Sequence, residues 1–136
     1  MRIFGIGTDI VNIKRMEHSL KKHGFSFKNR IFSKKEISYC EKKKNSSSFY
    51  AKRFAAKEAF TKALGTGIRK GINLKNIEIT NNAYGKPLIL LKGNLSRYLK
   101  KKIKSSKYDI HLSLSDDKPW AQATVIISYN KWKIKL

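Results

Sequence analysis

Residues 53–67 have the sequence Arg53-Phe-Ala-Ala-Lys-Glu-Ala-Phe-Thr-Lys-Ala-Leu-Gly-Thr-Gly67. Their spacing predicts a helix that presents charge on one face and ends in glycine. At 100° per residue, the charged and polar face is formed by Phe54, Glu58, Thr61, Lys62 and Gly65. The opposite, apolar face is formed by Ala56, Phe60, Ala63 and Leu64. The protein has nine acidic residues against 31 lysines and arginines, so a glutamate set among apolar residues needs an explanation.

Local structure alone offers an explanation of this segment. Glu58 and Lys62 stand at i and i+4, an orientation that stabilises a solvated helix by roughly 0.2–0.5 kcal/mol. Gly65 or Gly67 would supply a left-handed C-cap, the usual role of glycine at a helix end. Under this interpretation the segment is an ordinary surface helix. A second acid elsewhere in the chain is needed to favour a functional role.

The overall composition favours a small globular protein. A length of 136 residues predicts one domain, 1–136, with an ordinary hydrophobic core. No apolar run approaches the roughly 18 residues of a membrane span, and the N-terminus lacks the apolar stretch of a secretory signal. Cys40 is the only cysteine, which excludes an intrachain disulfide and argues against a zinc cluster. We therefore expect a cytoplasmic protein in which Cys40 is inert.

The net charge of +22 is extreme for this length. Nucleic acid or an acidic protein would be attracted by it. Lysine greatly outnumbers arginine, and isoleucine and asparagine are abundant, as AT-rich coding sequence tends to produce. Much of the charge would then be solvated surface without a partner. Charge alone leaves all three interpretations open.

Hydrophobic patterns and turn residues predict an α+β fold. Strands are expected at residues 2–12, 77–80, 87–91, 108–115 and 120–129. Helices are expected at 13–23, 25–31, 33–43, about 47–65, and 95–104, the third of them started by a capping box from Ser33 to Glu36. A turn at 116–119 joins the last two strands, and a basic tail, 130–136, is expected to fray. The order of elements predicts a mostly antiparallel sheet packed against a long central helix, with the helices gathered on one face.

Asp9 is the second acid that bears on Glu58. It lies in an otherwise apolar strand, where a charge is costly unless something pairs with it. On its own it could be a structural carboxylate that binds backbone amides or caps a turn. Together, a strand aspartate and a helix glutamate make a plausible Mg²⁺ site, because magnesium prefers one or two carboxylates plus substrate phosphates.

Phosphoryl-type chemistry also requires positive groups for the phosphate oxygens and a positioned base. Lys62 lies one turn from Glu58, and Lys57 precedes Glu58 directly. The glycines of Gly65-Thr-Gly67 would let a ligand approach the backbone closely. The segment does not match a phosphate-binding P-loop, because its glycines end a helix rather than begin one.

These motifs resemble those of the holo-[acyl-carrier-protein] synthases, the short bacterial type of the 4′-phosphopantetheinyl transferase family. The resemblance is carried by Gly5-Ile-Gly-Thr-Asp-Ile-Val11 followed by residues 53–67. Asn82-Ala-Tyr-Gly-Lys-Pro87 and His111-Leu-Ser-Leu-Ser115 follow in the order expected of that family. It covers nearly the whole chain, from residue 3 to about 128.

The resemblance implies a 4′-phosphopantetheinyl transferase-like fold and a reaction. A 4′-phosphopantetheine group would be transferred from coenzyme A to a serine of acyl carrier protein, releasing adenosine 3′,5′-bisphosphate and supporting fatty acid biosynthesis. Asp9 and Glu58 match the magnesium ligands of the family. Glu58, directly or through a water on the metal, is the candidate base for the serine hydroxyl. Lys62 matches the lysine that neutralises the diphosphate.

The resemblance further implies a coenzyme A site between the subunits of a homotrimer. Positions that would line it in one subunit are Arg53, Gly65, Gly85, Lys86 and Pro87. His111 and Ser113 would reach it from the neighbouring subunit. Without the resemblance, His111 is a strand-edge residue with one hydrogen bond, and Lys86 is a solvated turn lysine. Many relatives continue with a histidine after Ser115, where this chain has Asp116-Asp117, so contacts from that turn are in question.

The acidic carrier protein gives the positive charge a candidate use. The predicted helix 13–23 would offer it Arg15, His18, Lys21 and Lys22, although a basic amphipathic helix is usually only a surface helix. The alternative function is that of a small nucleic-acid-binding, ribosome-associated protein, which the composition alone would favour. That alternative leaves Asp9 and Glu58 unexplained. The family resemblance instead implies no nucleic-acid partner and no membrane partner.

Overall fold

The computed structural model describes residues 1–66 and 72–130. Its strands are β1 (Arg2–Asn12), β2 (Ile77–Asn81), β3 (Pro87–Leu91), β4 (Tyr108–Asp117) and β5 (Trp120–Tyr129). Its helices are α1 (Ile13–Ile31), α2 (Lys34–Glu41), α3 (Ser46–Leu64) and α4 (Leu95–Ile103), and a 3₁₀ turn spans Leu74–Asn76. The predicted α+β fold is confirmed. Gly67 and residues 131–136 of the predicted tail lie outside the described residues.

The strands form two antiparallel sheets in the described parts of the chain. The larger has the order β1-β5-β4, and β2 and β3 form a separate hairpin. α3 packs against β1 and β5, and its core with Val125 and Ile127 contains Phe60 and four alanines, Ala55, Ala56, Ala59 and Ala63. The predicted arrangement of antiparallel strands against a long central helix is therefore confirmed.

Several predicted boundaries differ from the observed ones. The helices predicted at 13–23 and 25–31 are one segment, α1, interrupted at Gly24, whose backbone is not helical. β4 extends two residues beyond Ser115, because Asp116 and Asp117 pair with Ala121 and Trp120 of β5. The predicted turn at 116–119 is therefore shorter than expected. The capping box is confirmed, since Ser33 Oγ accepts from the Glu36 amide and Glu36 Oε1 accepts from the Ser33 amide.

Thr61 is the one residue of the predicted charged and polar face of α3 that is not accessible. Its side chain is buried, and its hydroxyl donates to the Glu58 carbonyl at 2.8 Å. The reason is that β1, β5, α1, α2 and the β2–β3 hairpin together enclose most of the helix. Lys57 and Arg53, one and two turns earlier on the same side, are buried as well. The stripe that stays accessible is narrower: Phe54 and Glu58 are partly exposed and Lys62 is exposed.

Strand β1 crosses α3 at a distance that excludes side chains between them. A Cβ built on Gly7 would lie 1.9 Å from the Ala59 carbonyl oxygen, and one on Gly5 would lie 1.8 Å from that of Ala63. The close approach therefore requires glycine at both strand positions. Backbone atoms of the two elements are in direct contact, which fixes the height of β1 over α3.

Cys40 is buried, and this burial raises the pKa of its thiol to about 12. Because the thiolate is the reactive form, the thiol is unreactive near neutral pH. Burial and the raised pKa both support the prediction that Cys40 is inert. None of the helices in the described ranges is long and apolar enough to cross a membrane.

Candidate active site

The close crossing of β1 and α3 brings Asp9 to the helix. Alternate residues of a strand point to the same face, so Asp9 follows Gly5 and Gly7 on the side that faces α3. Lys62 Nζ donates to Asp9 Oδ1 at 3.1 Å and to the Thr8 carbonyl at 2.9 Å. Glu58 lies one turn before Lys62 on the same stripe. The structure thus brings together the predicted metal ligands, Asp9 and Glu58, and the predicted phosphate contact, Lys62.

The interpretation of Glu58 and Lys62 as a helix surface pair is wrong. Among the described residues, Lys62 forms its salt bridge with Asp9 and Glu58 forms none. The strand carboxylate is held at the side of the helix by backbone contact, which places it within reach of the Lys62 ammonium group. Glu58 is left partly buried, with no salt bridge to a cation within residues 1–66 and 72–130.

The electrostatics of Glu58 reflect this position. Burial raises the pKa of its carboxyl group, and the nearby negative charge of Asp9 raises it further, while Lys62 acts in the opposite direction. A cation shared by the two carboxylates would relieve both effects. In residues 1–66 and 72–130, no cluster of three or more His, Cys, Asp or Glu side chains could enclose a metal. Two carboxylates beside an open cleft fit a Mg²⁺ ion that takes its other ligands from water and substrate phosphates.

Asp9 stands between two clefts. The first has a volume of about 340 Å³, and the second has a volume of about 270 Å³. The first is lined by Asp9, Ile10, Val11, Asn12, Arg15, Phe54 and Glu58. The second is lined by Thr8, Asp9, Ile10, Lys62 and Gln122. A group in either cleft can therefore reach Asp9, which suits a site where two substrates meet.

Arg53, predicted to line a coenzyme A site, is only 3% exposed. Its guanidinium group lies 4.2 Å from the centre of the Tyr39 ring, and Nη2 donates to Asn81 Oδ1 at 3.0 Å. The contact of Arg53 with the 82–87 turn runs through Asn81, whose Nδ2 donates to the Gly85 carbonyl at 3.0 Å. Arg53 is thus linked to Gly85 through one side chain.

The turn at residues 82–86 is ordered by its own hydrogen bonds. Asn82 Oδ1 accepts from the amides of Tyr84 and Lys86, and the Gly85 amide donates to the Asn82 carbonyl. Lys86 is exposed, and Pro87 begins β3. The predicted residues Gly85, Lys86 and Pro87 therefore lie together on one preformed turn.

At the C-terminal end of α3, Gly65 is the helix cap. Its φ of 89° is left-handed, and its amide donates to the carbonyls of Thr61 and Lys62. Gly65 is exposed and lies about one helical turn after Lys62 in the sequence. Of the two glycines considered for the cap, Gly65 has that role.

Lys57 cannot serve as the phosphate contact that its sequence position suggested. Its side chain is completely buried, and its ammonium group donates to Glu36 at 2.7 Å. The two lysines flanking Glu58 therefore have different surroundings, since only Lys62 of the two lines a cleft, the second one.

His111 and Ser113 lie on the other face of the three-stranded sheet. Both side chains are exposed, and His111 Nε2 lies 2.9 Å from Ser128 Oγ on β5. Their neighbours Leu112 and Leu114 point to the α3 side instead. Within one chain, the structure does not bring His111 and Ser113 to Asp9 and Glu58.

Sequence reasoning missed several residues of this region. Glu36 was predicted only as part of a capping box, and Tyr39, Asn81 and Gln122 were given no role. The questioned Asp116 forms a salt bridge with Lys52 of α3 at 3.3 Å. Only Glu36 carried a usable signal, because an acid in a very basic chain calls for a partner.

Comparison with known proteins identifies the class. A sequence model of the 4′-phosphopantetheinyl transferase superfamily (ACPS) matches residues 5–125, and the chain belongs to this family. It is 45% identical over 127 residues to the holo-[acyl-carrier-protein] synthase of Pelagibacter ubique, covering 93% of this chain and 98% of that protein.

Solved structures of the same class resemble the fold. The holo-[acyl-carrier-protein] synthase of Neisseria meningitidis aligns with a TM-score of 0.84 and 40% identity, over 93% of this chain and 98% of that one. The Helicobacter pylori enzyme, solved in complex with coenzyme A, aligns with a TM-score of 0.79 and 36% identity, over 90% of this chain and 99% of that one.

Proposed function

We propose that this chain transfers the 4′-phosphopantetheine group of coenzyme A to a serine of an acyl carrier protein. The observation that carries the proposal is the meeting of Asp9, Glu58 and Lys62 at the two clefts, in a chain that belongs to the phosphopantetheinyl transferase family. Asp9 and Glu58 would hold Mg²⁺. When bound, the ion would neutralise charge on the diphosphate of coenzyme A.

In the reaction, the serine oxygen of the carrier forms a bond to the phosphorus that bears pantetheine. The bond from that phosphorus to the bridging oxygen breaks, and adenosine 3′,5′-bisphosphate leaves with the electron pair. The serine proton passes to the carboxylate of Glu58, whose position beside the first cleft suits a general base. Lys62 faces the second cleft, where its ammonium group would bind a diphosphate oxygen.

The test is to incubate the protein with coenzyme A, Mg²⁺ and apo acyl carrier protein, and to weigh the carrier by mass spectrometry. The carrier should gain one phosphopantetheine group. A carrier of unchanged mass with Mg²⁺, and with Mn²⁺ in its place, would rule the proposal out. The role in fatty acid synthesis and the cytoplasmic location stay predictions.

The carrier would dock on the basic side of α1. Arg15, His18 and Lys22 are exposed there, and Arg15 also lines the first cleft beside Glu58. A carrier on this surface would bring its serine to the cleft that holds the proposed base. Attraction between the basic helix and an acidic carrier should accelerate association and weaken as salt rises.

Arg15→Glu should slow carrier association about tenfold at low salt and leave the affinity for coenzyme A unchanged. Stopped-flow association at several salt concentrations measures the first effect, and calorimetry measures the second. Arg97→Glu, the same change at an exposed position of α4, is the matched control and should have the smaller effect. An equal loss of coenzyme A affinity in Arg15→Glu would show that the two substrates do not use separate surfaces.

The chain would form a homotrimer through the outer face of the β1-β5-β4 sheet. Ile6 and Ile10 are each 60% exposed on this face, which is more apolar surface than a solvated strand usually presents. His111 and Ser113 share the face, since His111 lies in the same cross-strand row as Ile6, through Ile126. A subunit packed there would receive both side chains near its own site.

Ile6→Lys should break the oligomer into single chains of 15.7 kDa, because a charge would be buried at each interface. Multi-angle light scattering measures the mass. Leu90→Lys places the same change at an exposed leucine of β3 and should leave the mass unaltered. Wild-type protein that is already a single chain at working concentration would contradict the trimer.

A further inference from the structure

Four charged side chains are buried at the junction of α2, α3 and β2. They are Glu36, Arg53, Lys57 and Glu78, two acids and two bases, which we call the buried quartet. Within the described ranges they are the buried residues of formal charge. Burying charges is costly and often gives little net stability even when they are paired. Their presence therefore points to something other than stability.

Lys57 and Glu36 hold the beginning of β2 by its backbone. Lys57 Nζ donates to the carbonyls of Leu74 and Ile77, at 2.8 and 2.6 Å, as well as to Glu36. The second oxygen of Glu36 accepts from the Ile79 amide at 3.1 Å. Three backbone groups on the approach to β2 and in the strand are thus bound to two side chains on α3 and α2.

Arg53 and Asn81 hold the other end of the hairpin. Arg53 lies one turn before Lys57 on α3, and its stacking on Tyr39 fixes the plane of the guanidinium group. Asn81 accepts from Arg53 with one side-chain atom and donates to the Gly85 carbonyl with the other. This makes Asn81 the link between the buried quartet and the turn at 82–86.

The directional bonds determine the register of the hairpin on the helix. Ile77 and Ile79 also pack in the core, but apolar contacts alone tolerate small shifts along the strand. A shift of one residue would turn the alternating side chains over and break the hydrogen bonds of Lys57, Glu36 and Arg53 together.

We propose that Glu36, Arg53 and Lys57 of the buried quartet position the β2–β3 hairpin so that the turn at 82–86 is preformed for coenzyme A, with Asn81 as the positioning residue that transmits this order. The inference rests on the proposed function. It adds to that function a physical reason for the affinity of the protein for coenzyme A, because a turn that is already ordered loses less entropy when the ligand binds.

The test compares Asn81→Ala and Asn81→Asp with the wild type. Asn81→Ala should raise the Kd for coenzyme A about tenfold, with kcat at saturating coenzyme A and carrier affinity both within about threefold of wild type. The Gly85 and Lys86 amides, bound to Asn82 in the turn, should exchange hydrogen faster. Asn81→Asp keeps the acceptor for Arg53 but loses the donor to the Gly85 carbonyl. Its Kd for coenzyme A should therefore lie between that of the wild type and that of Asn81→Ala.

Asn94→Ala is the matched control, since Asn94 stands at the start of α4 without a side-chain capping bond. Asn94→Ala should change neither the Kd for coenzyme A nor the hydrogen exchange of the Gly85 and Lys86 amides. Unchanged exchange at Gly85 and Lys86 in Asn81→Ala would overturn the inference, and so would faster exchange with an unchanged Kd. Failure of the wild type to modify the carrier would instead refute the proposed function, so the two failures are distinguishable.

Discussion

Replacing Glu58 with glutamine is expected to lower kcat for carrier modification by about a thousandfold or more. The amide has nearly the same shape, but it cannot take the serine proton and it is a weaker ligand for Mg²⁺ than a carboxylate. General base catalysis alone contributes about 10²–10⁴-fold, and the weakened metal site adds to the loss. Single-turnover mass spectrometry of the carrier, with saturating substrates and a Mg²⁺ titration, measures the effect.

The fold of the Glu58→Gln protein should be unchanged, because the described structure gives Glu58 no salt bridge to lose. Circular dichroism and the thermal midpoint check this point. Asp117→Asn makes the same acid-to-amide change at an exposed position and should retain near-normal kcat. Near-normal turnover in Glu58→Gln would refute both of its proposed roles, base and metal ligand. A defect that high Mg²⁺ fully reverses would leave only the metal role.

Replacing Gly7 with alanine is expected to destabilise the protein by at least about 3 kcal/mol, at the upper end of overpacking effects. The added methyl group would lie 1.9 Å from the Ala59 carbonyl oxygen and 2.7 Å from the Ala63 amide nitrogen. These are helix backbone atoms, which cannot rotate away as a side chain would. Either β1 lifts from α3 or the helix distorts. The change in the free energy of unfolding is measured in urea.

Ser38→Ala is the control for Gly7→Ala. Ser38 is exposed on α2, away from the clefts and from the proposed subunit interface, so its replacement should have a small effect on stability. If Gly7→Ala folds, its Mg²⁺ affinity should also fall, because Asp9 would move away from Glu58. A Gly7→Ala protein as stable as Ser38→Ala would show that the contact between β1 and α3 is looser than described.

The elements of the fold were predictable because their signals are local. Strand alternation, the capping box at Ser33 and the turn residues each depend on a few neighbouring positions. The pairing of Asp9 with Glu58 was also within reach, because each is a rare acid in an apolar setting. The salt-bridge partners of residues far apart in the sequence were not predictable. Lys62 pairs with Asp9 rather than with Glu58 only because the strand passes close to the helix.

The sequence reasoning did not predict which charged side chains are buried. Lys57 lies one residue before Glu58 and Lys62 lies four residues after it, and helix geometry alone does not say which of them faces solvent. The answer depends on β2, more than a dozen residues later, and on Glu36, about twenty residues earlier. Likewise, alternation along β4 separated His111 from Leu112 but did not show which face of the sheet α3 covers.

The contact between β1 and α3 has a consequence for how this protein can change over evolutionary time. The separation of Asp9 from Glu58 depends on backbone atoms of Gly7, Ala59 and Ala63, with no intervening side chain to vary. We therefore expect substitutions on the exposed surface, away from this crossing, to leave the spacing of the two carboxylates unaltered. For this reason, a net charge of +22 on the chain is compatible with an unaltered arrangement of Asp9 and Glu58.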